Sequence, residues 1–494
     1  MSRLASLAKE TVIYGLSSIV GRFLNYLLVP MYVSVMAVES GGYGIVTNIY
    51  AFVALFLVLL TYGMETGFFR FMNKEKDNQK VYSSILIAVG STSLLFILLC
   101  LAFLTPISQG LGYEHHPDYI GMMAIVVALD AFQCIPFAYL RYKRRPIKFA
   151  GIKLFIIALN ILLNFFFLIW CPKLALLFPS LFGWYDPHYQ AGYVFLANLI
   201  TSSVQIFFFI PELKGIRHGF DWSLFKRILR YSFPILILGV AGILNQTVDK
   251  IIFPFLFKDT ETAHVQLGIY GAASKIAMIM AMFTQAFRYA YEPFVFGEEK
   301  KKDSCKMYAS AMKYFIIFAL LAYLLVLFYL DLLKYIITPG YWEGLKVVPI
   351  VMGAEFLMGI YFNLSFWYKL IDETKWGAYF SIIGCITIIC LNVFFVPRFG
   401  YMASAWAGFI GYALVTVLSY VVGQKKYRIP YDLKGIGGYV LLAGGLLLVA
   451  KFVPIENMVL RLVFRTFLLA LYVGYLLKKD LPLKSIPIIN RFIK

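Results

Sequence analysis

The run Gly268–Phe296, GIYGAASKIAMIMAMFTQAFRYAYEPFVF, has the apolar length of a membrane-crossing helix yet carries Lys275, Arg288 and Glu292. About 20 apolar residues span a hydrocarbon core. Lys275 lies roughly 10 residues in from the polar loop before it, about 15 Å deep at 1.5 Å per residue. A cation at that depth costs several kcal/mol unless it faces a partner or a watery cavity. The chemistry this permits is capture of an anion, such as a phosphate, inside the membrane. Arg288 and Glu292, four residues apart, share a helix face and are predicted to pair as a gate or a structural bridge.

Other ionisable residues fall in apolar runs. Arg22 lies midway along the first predicted helix, with Asn25 nearly one turn on. Guanidinium groups bind phosphate oxygens through two parallel hydrogen bonds, so Arg22, Asn25 and Lys275 form a candidate pyrophosphate- and sugar-binding set. The other reading of Arg22 is a salt bridge to Asp130 or Glu355. Those two acids, in the fourth and tenth predicted helices, are candidates for ion coupling, because intramembrane carboxylates serve ion and proton pathways; alternatively they are structural bridges, Asp130 with Gln133. Glu65 and Arg70, in YGMETGFFRF, are predicted to form a pair at the inner mouth. Asp249, beside Lys250 at the outer end of the seventh helix, is a candidate gate residue.

These residues need elements to hold them. Of 494 residues, 61% are hydrophobic and 14% charged, a balance that cannot clothe a water-soluble surface. Apolar runs of spanning length fall near 11–35, 43–63, 82–105, 119–140, 149–171, 191–211, 231–252, 267–296, 308–330, 347–368, 376–396, 401–423, 434–452 and 459–477. The expected fold is therefore an all-α polytopic membrane protein of about fourteen transmembrane helices. Every second connection is basic and together these hold roughly 32 of the 45 lysines and arginines, which predicts cytoplasmic termini at both ends. The net charge of +19 is thereby assigned to anionic lipid headgroups and not to nucleic acid.

The chain also repeats. Tyr43-Gly44 recurs as Tyr270-Gly271, Leu163-Asn164 as Leu391-Asn392, and Gly192-Tyr193 as Gly400-Tyr401, each beside the helix of the same number in its half. Asp130 and Glu355 are related in the same way, with Ile135/Ile360 and Phe137/Phe362 flanking them. The repeat predicts two pseudo-symmetric six-helix lobes, residues 1–213 and 214–430, followed by two extra helices and a cytoplasmic tail over 431–494.

Several chemistries find no support. The six cysteines lack paired spacing and lie mostly in apolar runs, and the five histidines form no ligand pattern. No metal site, cofactor or catalytic constellation is predicted. The first apolar run holds Arg22 at its centre and lacks a cleavage site, so no signal peptide is expected. With no P-loop, transport is expected to draw on a gradient of H+ or Na+ or to run downhill.

SGGYGIVTNIYAF, YGMETGFFRF, DKIIFPFLF, GIYGAASKIAMI, QAFRYAYEPFVF and VPRFGYMASAWAGFIGY resemble the Wzx polysaccharide flippases, the O-antigen and capsule repeat-unit transporters of the multidrug/oligosaccharidyl-lipid/polysaccharide exporter superfamily. The resemblance implies alternating access in the bacterial cytoplasmic membrane and an undecaprenyl-pyrophosphate-linked oligosaccharide as cargo. It further implies basic cavity residues matching Arg22 and Lys275, and polysaccharide polymerase machinery as a possible partner. Alternatives are a multidrug or metabolite exporter or a lipid II flippase of the same superfamily. A polytopic glycosyltransferase or polymerase fits less well, since the outer loops are short and poor in acids.

Overall fold

A computed structural model of the chain describes residues 20–298, apart from 22 and 25, and residues 304–481; in the helix ending at Glu298, side chains are described as far as Arg288 and at Tyr291. Among the described residues all regular structure is helical, as lipid demands of a backbone whose polar groups must pair within their own segment.

The helices are α1 (Leu28–Val35), α2 (Gly42–Lys74), α3 (Asn78–Ala102), α4 (Pro117–Tyr142), α5 (Pro146–Leu177), α6 (Gln190–Phe207), α7 (Trp222–Leu256), α8 (Thr260–Glu298), α9 (Ser304–Phe328), α10 (Pro339–Leu370), α11 (Lys375–Phe399), α12 (Tyr401–Lys426), α13 (Leu433–Phe452) and α14 (Met458–Lys479). Twelve of them are long and apolar enough to cross a membrane alone. Gln190–Phe207 (α6) and Ile210–His218 are long and apolar enough only when taken together, and they meet at a bend of 59°, where Pro211 withholds an N–H from the ladder. The protein is thus multi-pass, as expected. Of the first predicted helix, 11–35, residues 11–19, 22 and 25 lie outside the described residues.

Helix starts follow the polar residues that punctuate the apolar runs. Asp221 accepts from the Leu224 N–H at 3.0 Å, Asp432 from Gly435 at 2.9 Å, and Asn457 from Val459 and Leu460, each filling donors that a first helical turn leaves unpaired. Breaks within spans have causes too. In α2, Tyr62 and Gly63 take φ of 31° and 71°, and a Cβ at Gly63 would come within 2.8 Å of the Ser232 carbonyl oxygen on α7.

The backbone divides into two compact units, Met1–Ala272 with Ile388–Tyr401, and Ala273–Thr387 with Met402–Lys494. The first has an apolar core around Phe68, Tyr82, Ile85 and Ile228. Its basic-loop end is closed by ion pairs of Arg141 with Glu65, Lys148 with buried Glu212 at 2.7 Å, and Arg227 with Glu75 at 2.9 Å. The second has an aromatic core of Tyr291, Phe366, Trp367 and Phe380.

Within the second unit, α13 and α14 are fastened to α9 at both ends. Lys313 of α9 reaches Asp480 at 2.5 Å and Asp432 at 2.9 Å, and Tyr439 donates to Asp480 at 2.7 Å. At the other end Arg461 and Arg465 both reach Asp331 at 2.8 Å. Burial would raise the Asp480 carboxyl, but its hydrogen bonds from Lys313 and Tyr439 outweigh that and hold it below the usual carboxylate range; Lys313 and the Gly435 N–H lower Asp432. Carboxylates depressed in the folded state stabilise it above their unfolded pKa, and that contribution is lost as pH falls through the folded value. Removing one member of a half-buried, hydrogen-bonded ion pair costs on the order of 2 kcal/mol. Lys313→Ala is therefore expected to lower the melting temperature of the detergent-purified protein at pH 7. The gap from wild type should begin to narrow below about pH 4, the unperturbed range of an aspartate, and close as pH falls through the lower folded values.

Candidate functional site

Three features of the described residues place polar or charged groups inside membrane-length helices. The first is a polar ladder inside the first unit. Asn160 and Asn164 stand one turn apart on α5; Asn198, Thr201, Ser202 and Gln205 line one face of α6 at helical spacing. Asn164 accepts from the Tyr32 hydroxyl at 2.9 Å and donates to Asn160 at 3.0 Å. Asn160 donates to Asn198 at 3.3 Å, and Asn198 donates to the Tyr50 hydroxyl at 2.6 Å. Lower on α6, Ser202 donates to Asp130 at 2.8 Å, while Gln133 donates to the Ser202 carbonyl at 2.7 Å and pairs with Gln205. Asp130 is thus held by a hydroxyl; among the described residues no ion pair involves it and no hydrogen bond joins it directly to Gln133, the alternative raised above. Such a chain of hydrogen-bonding groups around one carboxylate can hold a proton or a dehydrated cation in a low-dielectric interior.

The ladder belongs to one repeat only. Carried across by the offset of Gly192 and Gly400, the positions matching Asn198, Thr201, Ser202 and Gln205 are Trp406, Phe409, Ile410 and Ala413. A scaffold shared by both halves would need polar groups in both. Glu355, the counterpart of Asp130, is partly buried on α10 in the second unit without such an array on α12.

The second feature is a seam between α2 and the start of α8, at the end away from the basic loops. A Cβ at Gly44 would overlap the His264 carbonyl oxygen and lie 3.0 Å from the Gly268 nitrogen; a Cβ at Gly271 would come within 2.5 Å of the Thr47 hydroxyl. The two glycines are the repeat-related pair of the Tyr-Gly motif, so both copies of the motif serve close approach of backbones. Polar groups lock the seam's edge. Tyr113 donates to Asn48 at 2.8 Å, and with that proton committed the His264 imidazole, 3.3 Å away, donates to the hydroxyl. Asn48 in turn donates to the Lys250 carbonyl at 2.7 Å. Asp249 is buried here, accepting from Tyr270 at 2.8 Å and pairing with Lys250 at 3.1 Å. Asp249, the predicted gate residue, is therefore buried beside this seam.

The third is the basic residues. Lys275 is half-buried on α8, fifteen residues past its start at Thr260. Arg288, further along α8, stacks on Phe362 at 3.9 Å, and Lys369 approaches the same ring at 5.2 Å; the side chain of Glu292, its predicted partner, lies outside the described residues, as do Arg22 and Asn25. One predicted pairing is corrected. Glu65 pairs with Arg141 and not with Arg70, whose guanidinium sits 4.2 Å above the Tyr231 ring. On α2 the two residues are five apart, about 140° around a helix, so they face different neighbours.

The ladder was the chief omission of the sequence reading. Its signal was present: three asparagines and a glutamine recur at helical spacing in runs otherwise apolar, where each unsatisfied amide is costly. All six cysteines are free, and no group of metal-ligating side chains occurs among the described residues.

The pattern of a family described as polysaccharide biosynthesis protein matches residues 7–290. No curated protein matches the sequence. Among solved structures, the lipid II flippase MurJ in an inward closed conformation superposes with a TM-score of 0.69 at 14% identity, covering 95% of this chain and 99% of that one. An inward-facing multidrug resistance MATE family transporter of the MOP superfamily gives 0.56 at 14% identity, with 81% and 93% covered. The MATE multidrug transporter DinF-BH gives 0.59 at 18% identity, with 85% and 96% covered. At these identities the likeness is one of fold.

Proposed function

We propose, from the premise that this chain belongs to the polysaccharide biosynthesis protein family, that it moves undecaprenyl-pyrophosphate-linked oligosaccharide repeat units from the inner to the outer leaflet of the bacterial cytoplasmic membrane. Family and fold support a transporter over an enzyme. The site is exposed to the two faces in alternation, and an ion gradient drives the cycle. The basic loops face the cytoplasm.

The observation that carries the reading is Lys275, a half-buried cation far inside a membrane-crossing helix. A pyrophosphate cannot enter hydrocarbon without replacement of its water, and a half-buried ammonium at that depth supplies both charge and donors. Arg22 and Asn25 belong to the same binding set. The polyprenyl tail stays in lipid while the headgroup passes. Asp130 and its ladder supply the ion-coupling step, with Glu355 as the second candidate; Asp249, Glu65, Arg70, Arg288 and Glu292 act at the mouths.

The test is purified protein in liposomes carrying a lipid-linked oligosaccharide labelled on one leaflet. Headgroups are expected to become accessible on the other face, and Lys275→Ala to slow this about tenfold, the effect of one lost charge-assisted contact of roughly 1.4 kcal/mol, with the melting temperature kept. Normal flipping by Lys275→Ala would remove the anion site from the account.

A further inference from the structure

The two halves differ by a block of inserted chain. Asn164 and Asn392 are 228 residues apart, whereas Gly192 and Gly400 are 208 apart, so about twenty residues have been added to the first half between these landmarks. In the second half, α11 passes into α12 through Gly400 alone, at φ 58°. In the first, α5 continues through a π-helical turn at Phe166–Trp170 to Leu177, and a further short helix spans Pro179–Phe182. The repeat architecture closes without this block, so its retention calls for a separate reason.

The insertion is fixed at its base and apolar on its outside. The Tyr193 ring at the start of α6 stacks on Phe167 at 5.6 Å and on Tyr185 at 5.0 Å, and its hydroxyl accepts from the Asp186 N–H at 2.8 Å. Tyr189 pairs with Asp118 at the start of α4. On this footing stand Leu176, Leu177 and Leu181, exposed by 85%, 69% and 70%, with Phe178 and Trp184 also more than half exposed. From Pro172 to Gly183 the sole charged residue is Lys173. A water-facing loop would not hold so much apolar surface in a fixed, outward position.

We infer that residues 172–184 are a membrane-contact segment that lies in the headgroup–acyl boundary of the leaflet opposite the basic loops. Three observations select lipid as the occupant. The exposed stripe of α5, Leu162, Phe165 and Trp170, runs directly into Leu176 and Leu177, so the surface continues a face that already meets lipid. The 32 residues of α5 reach about 48 Å at 1.5 Å per residue, well past a core of roughly 30 Å, which sets the segment at the boundary. Trp170 and Trp184 bracket it, and tryptophan favours that depth. Interfacial segments bury their apolar side by about 5–10 Å there.

The experiment uses the wild-type chain in phosphatidylcholine/phosphatidylglycerol vesicles doped with a phosphatidylcholine bearing a diazirine near its glycerol. After illumination, peptides are mapped by mass spectrometry. The expected result is labelling of 172–184 within twofold of peptides from the exposed face of α5, and a fall of at least fivefold in Leu176→Ser/Leu177→Ser/Leu181→Ser. Labelling at the level of the soluble loop around Lys74–Asp77 would overturn the assignment and leave the patch to a protein partner or a second copy. The wild-type map needs no variant to fold and no transport activity, so it stands whether or not the flippase reading does.

Discussion

Gly44→Val is expected to reduce flipping by tenfold to a hundredfold while the protein still purifies as a folded species. The added Cβ falls on backbone atoms of His264 and Gly268, which cannot rotate aside, so α2 and the start of α8 must separate. Overpacking of this kind costs about 1–3 kcal/mol. If sealed and open forms of this end are near balance, that penalty falls on the sealed form alone and shifts the population by the same factor. Gly271 offers a graded comparison, since its Cβ meets the Thr47 side chain and not backbone. Gly271→Ala should cost only a few-fold, and Thr47→Ala in the same chain should restore it. Flipping assays in liposomes and melting curves for all three variants test this. Full activity in Gly44→Val would show that the seam takes no part in the cycle.

Asp130→Asn is expected to abolish gradient-driven accumulation, by a hundredfold or more, and to leave downhill exchange of the lipid headgroup in place. Asparagine keeps the shape and can still accept from Ser202, so the fold should melt within a few degrees of wild type. What is lost is the only charge in the ladder. Glu355→Gln should cost less, because the second repeat sets Trp406, Phe409 and Ile410 where the first sets Asn198, Thr201 and Ser202. Flux measured with an imposed H+ or Na+ gradient, and again without one, separates the two effects. Equal loss in both conditions would make Asp130 a structural residue, and no loss in either would take it out of the mechanism.

Much of the scaffold was legible because membrane physics writes it in long, simple signals. An apolar run of twenty residues has few folded alternatives, and the Tyr-Gly and Leu-Asn repeats allow the two halves of the sequence to be aligned. Side-chain partners were less legible. Glu65 could be placed near a cation but not assigned to Arg141, which is 76 residues away and on another helix; only the packing of α2 against α4 decides that. The ladder escaped because asparagines at 160, 164 and 198 look ordinary one at a time and become a network only when α5 and α6 are set side by side. The closeness of Gly44 to α8 was hidden for a similar reason. A glycine announces permission for contact, not the identity of the neighbour.

The fastening of α13 and α14 has a consequence for how the chain is inserted. At one end α9 offers a cation, Lys313, to anions; at the other, Asp331, three residues past the end of α9, is an anion offered to arginines. A terminal hairpin threaded upside down would bring Arg461 and Arg465 toward Lys313 and Asp480 toward Asp331, setting like charges together at both rims. The opposite polarity of the two ends acts as a key that admits the last pair of helices in one direction only, and lets a misthreaded pair be rejected before the polypeptide settles.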